Sequence, residues 1–125
     1  MGYDSFTINV QIDAKPYWLS KPKDTQVIEG ETVEFGCNAE GRPAPLKTQW
    51  FINGIPIQDA RIPSNPRRRI KKNRLILQNI AKSDTAVYQC NVSNIHGSIF
   101  ANFYVNVISK SMCLFFCSYT TLLLI

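Results

Sequence analysis

Apolar residues recur at every second position in short runs along this chain, and Gly, Pro and Asn separate the runs. That is the period of a strand with one buried face; no stretch sustains a helical period. Phe6, Ile8, Val10 and Ile12 predict a strand over residues 5–13. A break at Ala14-Lys15-Pro16 follows, then an edge strand at Tyr17-Trp18-Leu19 that Pro22 kinks. Gln26-Val27-Ile28 leads into a turn at Glu29-Gly30-Glu31. Val33, Phe35, Cys37 and Ala39 mark the inward face of the next strand, and residues 41–45 read as a loop. Thr48, Trp50 and Ile52 alternate with Lys47, Gln49 and Phe51, and Asn53-Gly54 then predicts a two-residue hairpin. Residues 58–68 read as a loop, Ile70 marks a short strand, and Leu75 and Leu77 share one face of a strand over 74–79. Ala86, Tyr88, Cys90 and Val92 alternate with their neighbours, a turn falls at Asn94-Ile95-His96-Gly97, and Ala101, Phe103, Val105 and Val107 close the series. About eight short strands, spaced roughly 8 to 12 residues apart, predict an all-β, two-sheet antiparallel sandwich.

Four features of that pattern coincide. Cys37 and Cys90 lie on the inward faces of two strands, Trp50 sits inward on the strand between them, Tyr88 stands two positions before Cys90, and Asp84 opens the run that leads to it. In an immunoglobulin-like sandwich the two cysteines pin one sheet to the other, the tryptophan packs on the bridge, and the tyrosine hydroxyl bonds backbone at a corner. Asp84 is placed to pair with a basic residue at the base of the sandwich, and Arg69 is the candidate. Each residue alone is ordinary, since a lone Cys is usually a small buried hydrophobe. Together they are specific to the fold, but all are structural and none argues a function.

The run from Cys37 to Cys90 resembles an I-set immunoglobulin domain. Lys15-Pro16-Tyr17-Trp18-Leu19-Ser20-Lys21-Pro22, Trp50-Phe51-Ile52-Asn53-Gly54-Ile55-Pro56-Ile57, Ala86-Val87-Tyr88-Gln89-Cys90-Asn91-Val92-Ser93-Asn94-Ile95-His96-Gly97 and Ala101-Asn102-Phe103-Tyr104-Val105-Asn106-Val107 are similar to the neuroglian, neurofascin and NrCAM group of neural cell adhesion molecules. The likeness covers about residues 14–108 and is greatest to the fourth immunoglobulin domain of that group. It implies three parts: the last strand of a preceding immunoglobulin domain over 1–13, an I-set domain over 14–110, and an apolar tail over 111–125 where the group would continue into a further domain. The group is membrane-anchored and multi-domain. The resemblance therefore implies a cell-surface adhesion module that binds proteins homophilically or heterophilically and meets the membrane only through its parent's anchor.

Composition narrows the alternatives. At 45% hydrophobic and 18% charged residues the chain is globular, and its net charge of +5 favours acidic partners such as sulfated sugars without indicating nucleic acid. The first fifteen residues carry neither a basic start nor an apolar core, so they are not a signal peptide, and Phe6 breaks the myristoylation pattern. A disulfide-bonded domain without an export signal reads as a piece of a longer exported protein or a truncated gene model. Asn91-Val92-Ser93 is the one glycosylation sequon, and Asn91 should face outward because Cys90 faces inward. Arg67, Arg68, Arg69, Lys71, Lys72 and Arg74 crowd one stretch. As a function this is a heparan sulfate or acidic-partner patch on Arg67, Arg68, Lys71 and Lys72; otherwise it is a solvated edge strand guarded by charge. His96 has no converging ligands and no catalytic set is legible, so neither an enzyme nor a cofactor or metal site is expected. The apolar residues 112–125 are too few to span a bilayer. They read as translated intron, a clipped anchor or an interaction tail, with Cys113 and Cys117 paired, free or lipid-bearing. The other class of reading is an intracellular I-set domain of the giant muscle type. Cys37 with Cys90, and the sequon at Asn91, favour the outside of the cell.

Overall fold

The computed structural model describes residues 12–44 and 46–111. The strand expected over 5–13 and the tail with Cys113 and Cys117 fall outside the described residues, apart from Ile12, Asp13 and the stub of the tail at Ser111. Ten strands follow in order: β1 (Ala14–Ser20), β2 (Thr25–Ile28), β3 (Val33–Gly36), β4 (Asn38–Arg42), β5 (Lys47–Ile52), β6 (Ile55–Pro56), β7 (Arg68–Lys71), β8 (Arg74–Leu77), β9 (Ala86–Asn94) and β10 (Gly97–Ile108). One sheet has the order β2-β10-β9-β5-β6. The other face is built from β3-β8-β7 and from β1-β4. Cys37 interrupts the run of chain shared by β3 and β4, and its N–H donates to the Asn73 carbonyl, which carries the β3 side of the ladder through the break. All pairings are antiparallel except β2 with β10, which is parallel.

Alternation becomes packing through the register. Ala86, Tyr88 and Cys90 stand opposite Val105, Phe103 and Ala101, and Cys90 also stands opposite Trp50, so three strands deliver their inward residues to one layer. Phe35, Leu75 and Leu77 meet them from the facing sheet, with Ile80 just past the end of β8. Phe103 is the hub. Its ring lies 4.7 Å from Phe35, 5.8 Å from Tyr88 in a stack, and 6.1 Å from Trp50 edge-on, the arrangement that aromatic quadrupoles favour.

Several boundaries differ from the sequence reading, each for a local reason. The expected break at Ala14-Lys15-Pro16 is the start of β1. Pro16 is buried, and it has no cross-strand partner because the β1–β4 register shifts between Ala14 and Tyr17; an edge strand accepts a proline at such an irregularity. Gly41 and Arg42, expected in a loop, end β4. Gly41 sits at a close approach: a β-carbon there would lie 3.1 Å from both Asn94 Nδ2 and Pro16 Cα, so these neighbours would have to give way. Asn53 and Gly54 form the expected hairpin, both with positive φ (50° and 83°), as a type I′ turn demands. A 3-10 turn over Lys82–Asp84 was not legible as periodicity because it is a single turn.

Candidate binding surfaces

Cys37 and Cys90 are disulfide-bonded, with Cα atoms 6.7 Å apart, and the fully buried Trp50 packs beside them. Trp50 Nε1 is enclosed without a hydrogen-bond partner among the described residues, so the indole serves this core as apolar bulk. The Tyr88 hydroxyl donates to the Asp84 carbonyl at 2.5 Å and closes the corner that precedes β9. Burial first, and then the negative charge of Asp84, push the Tyr88 phenol up to about 12, against the opposing pull of Arg68 and Arg67.

The basic partner of Asp84 is Arg67, not Arg69. Arg67 Nη1 lies 3.0 Å from Asp84 Oδ2 and also donates to the Asn79 carbonyl at 2.6 Å. Asp84 Oδ2 accepts a further bond from the Ala81 N–H at 2.8 Å. Strand phase explains the correction. Arg69 stands opposite Ile76 in the β7–β8 ladder and is exposed on the outer face, with Arg74 and Lys71 as the adjoining pair. Arg67 precedes β7, and its carbonyl holds the Gln78 N–H, which brings its side chain to the base of the sandwich.

The same geometry splits the expected basic patch. Arg67 is engaged by Asp84, while Arg68 donates to the Pro63 carbonyl and has its Nε enclosed. Lys71 and Lys72 are exposed, with Lys72 at the β7–β8 turn in a left-handed conformation. Arg74 is paired with Glu34 at 2.9 Å. The four residues Arg67, Arg68, Lys71 and Lys72 therefore do not present one surface; the exposed cations of this stretch are Arg69, Lys71, Lys72 and Arg74.

The outward face of the five-stranded sheet is the more distinctive surface. Alternation on β9 puts Val87, Gln89, Asn91 and Ser93 there, β10 adds Phe100, Asn102 and Tyr104, and β5 adds Gln49 and Phe51. Phe51 and Phe100 reach toward each other across β9, with ring centroids 6.5 Å apart. Gln89 Nε2 donates to Asn102 Oδ1 at 2.7 Å. Asn91 lies in the row between Gln49 and Phe100.

A third cluster went unrecognised in the sequence because its members are far apart along the chain. The β9–β10 hairpin clasps the start of β1: Asn94 Nδ2 donates to the Ala14 carbonyl at 2.8 Å, and His96 Nε2 lies 3.1 Å from Asp13 Oδ2. At the opposite end of β10 the Glu29 N–H donates to the Ile108 carbonyl, and Glu29 Oε1 accepts from the Lys110 N–H. Twelve residues of extended β10 separate these points by about 36 Å. The chain thus enters the domain at one pole and leaves at the other.

This sandwich, with its inter-sheet disulfide, packed tryptophan and tyrosine corner, is an immunoglobulin fold. The family model described as an immunoglobulin domain matches residues 15–94, and the chain belongs to that family. Among curated proteins it is 46% identical over 99 residues to neural cell adhesion molecule L1.1 of Danio rerio, which covers 79% of the chain and 8% of that relative. It is 39% identical over 108 residues to neurofascin of Gallus gallus, covering 86% of the chain and 8% of the relative. The chain thus spans less than a tenth of the curated relatives it matches. Among solved structures it superposes on the tandem Ig repeats of Dlar with a TM-score of 0.68 at 24% identity, over 80% of this chain and 51% of that one, a likeness of fold.

Proposed function

We propose that this chain is an extracellular recognition module of a multi-domain neural adhesion receptor, acting by protein–protein binding and not by catalysis. Residues 14–110 form the module, held at the cell surface through the anchor of its parent. The observation that carries the reading is the 46% identity over 99 residues to a neural cell adhesion molecule, against 24% to the tandem Ig repeats of Dlar. Chain entry and exit at opposite poles suits a link in a tandem array, with the entry held by the clasp of His96 and Asn94 on Asp13 and Ala14. No helix among the described residues is long and apolar enough to cross a membrane. The disulfide suits an oxidising compartment, and Asn91 is the glycan acceptor of the module.

A domain exchange tests this. The stretch of zebrafish L1.1 that aligns with this chain is replaced by the chain's own residues, and the chimera is displayed on cells that do not otherwise adhere. Aggregation comparable to that of the parent receptor is expected. A chimera that reaches the surface in normal amount but no longer aggregates cells contradicts the reading.

A further inference from the structure

The outward face of the five-stranded sheet combines two features whose chemistry fits together: a glycosylation sequon and an exposed aromatic pair. Asn91 of the sequon Asn91-Val92-Ser93 stands directly opposite Phe100 in the β9–β10 ladder, and residues so placed have β-carbons about 4.5–5.5 Å apart on the same face. Phe100 is 51% exposed although it is a large apolar side chain. β2 pairs with β10 only from Val105 onward, so among the described residues no strand hydrogen-bonds β10 on the far side of Phe100. Phe51 leans toward Phe100 from β5, and Asn91 Oδ1 is enclosed without a hydrogen-bond partner among the described residues. The aromatic pair is flanked by amides: Gln49, Gln89 and Asn102.

We propose that the first N-acetylglucosamine of a glycan on Asn91 seats the C–H face of its ring on Phe100, so that sugar and not a protein partner covers this face. The inference rests on the reading of the module as exported. In attachment, Asn91 Nδ2 forms a bond to C1 of the sugar. The C1–O bond to a diphosphate-activated oligosaccharide donor breaks, its electron pair stays on the diphosphate oxygen, and one amide N–H proton is lost to base. The sugar then lies within reach of the ring opposite. Its C–H face meets the aromatic surface, and its hydroxyl rim meets the amides of Gln49, Gln89 and Asn102. An apolar protein contact would leave those amides facing carbon, at the cost that attends unpaired polar groups. A covered five-stranded face leaves the β3-β8-β7 and β1-β4 face and the two poles for protein contacts.

The test is a thermal cycle on the whole chain, exported from cells that glycosylate and trimmed enzymatically to the first sugar. Mass spectrometry reads occupancy of Asn91, and Ser93→Ala supplies the unglycosylated form with Asn91 in place. The occupied chain should melt roughly 4 °C above the Ser93→Ala chain, the shift expected when a contact comparable to one aromatic pair is added to a domain of this length. That gap should vanish in a Phe100→Ala background and persist in Phe100→Tyr, which keeps the aromatic face. An occupied Asn91 with an undiminished gap in Phe100→Ala overturns the sugar–ring contact while leaving Asn91 as an acceptor. An unoccupied Asn91 on the exported chain overturns the acceptor reading, and the contact with it.

Discussion

Replacing Arg67 by Ala should be among the most damaging single changes outside the apolar core, and replacing Arg69 by Ala among the mildest. Among the described residues Asp84 is the one charged residue buried in the sandwich, and its side chain is 5% exposed against 31% for Arg67. Removing the arginine leaves a carboxylate in that site with the Ala81 N–H at 2.8 Å and the more distant Asn65 amide at 3.5 Å as its remaining partners. It also removes the donor to the Asn79 carbonyl. Stripping one member from a fully enclosed ion pair costs about 3–5 kcal/mol. Arg67 is partly solvated and Asp84 keeps a backbone donor, so roughly 2–3 kcal/mol is expected here. For a domain near 100 residues that is a fall of about 10–20 °C in melting temperature. Arg69 is exposed beside Ile76 with no role in the base of the sandwich, so its loss should stay within about 0.5 kcal/mol. Urea denaturation of both variants under identical buffer decides the matter. Equal destabilisation, or a larger loss for Arg69→Ala, would refute the assignment of Arg67.

Other consequences are equally direct. Tyr88→Phe should cost about 1–2 kcal/mol in urea denaturation, through the lost bond to the Asp84 carbonyl. Because the folded-state pKa of Tyr88 is raised from 10.0 to about 12, the protonated phenol is the form that folding favours. Its contribution is complete below pH 10 and is lost as pH climbs toward 12, so alkaline denaturation should be less steep in Tyr88→Phe. Reduction of the Cys37–Cys90 bond, which closes a separation of 53 residues, should lower stability by about 4 kcal/mol on the loop-entropy account; an unchanged denaturation midpoint after reduction would contradict this. Gly41→Ala should cost about 1–3 kcal/mol by overpacking, since the new methyl meets the Pro16 backbone and the Asn94 amide at 3.1 Å; calorimetry that shows no change would mean that β1 shifts freely.

The alternating runs carried most of the fold because a strand with one buried face writes its orientation into every second residue. Val33 to Cys37, Trp50 and Ile52, and Ala86 to Val92 needed nothing else. What alternation could not supply was phase beyond a strand end and contact across distance. Arg67 and Arg69 differ by two positions and look interchangeable in the sequence. Only the start of β7 at Arg68 and the bond between the Gln78 N–H and the Arg67 carbonyl decide which one reaches Asp84. The basic run left two readings open, a binding patch or a solvated edge strand, for a related reason: consecutive side chains on an edge strand point to different sides and meet different partners. The sequon was visible as a motif, but its aromatic neighbour was not, because Phe100 becomes adjacent only through the β9–β10 register. The clasp of His96 on Asp13 joins residues 83 apart, and nothing in a single sequence ties them together.

Recognition of cell-surface proteins is the proposed role of this domain. The most direct measurement is binding of the exported, fluorescently labelled chain to living neural cells, repeated after the cells are treated with trypsin or with heparinase. Saturable binding that trypsin abolishes and heparinase leaves intact is expected. Absence of saturable binding, or binding that disappears with heparinase alone, would contradict it.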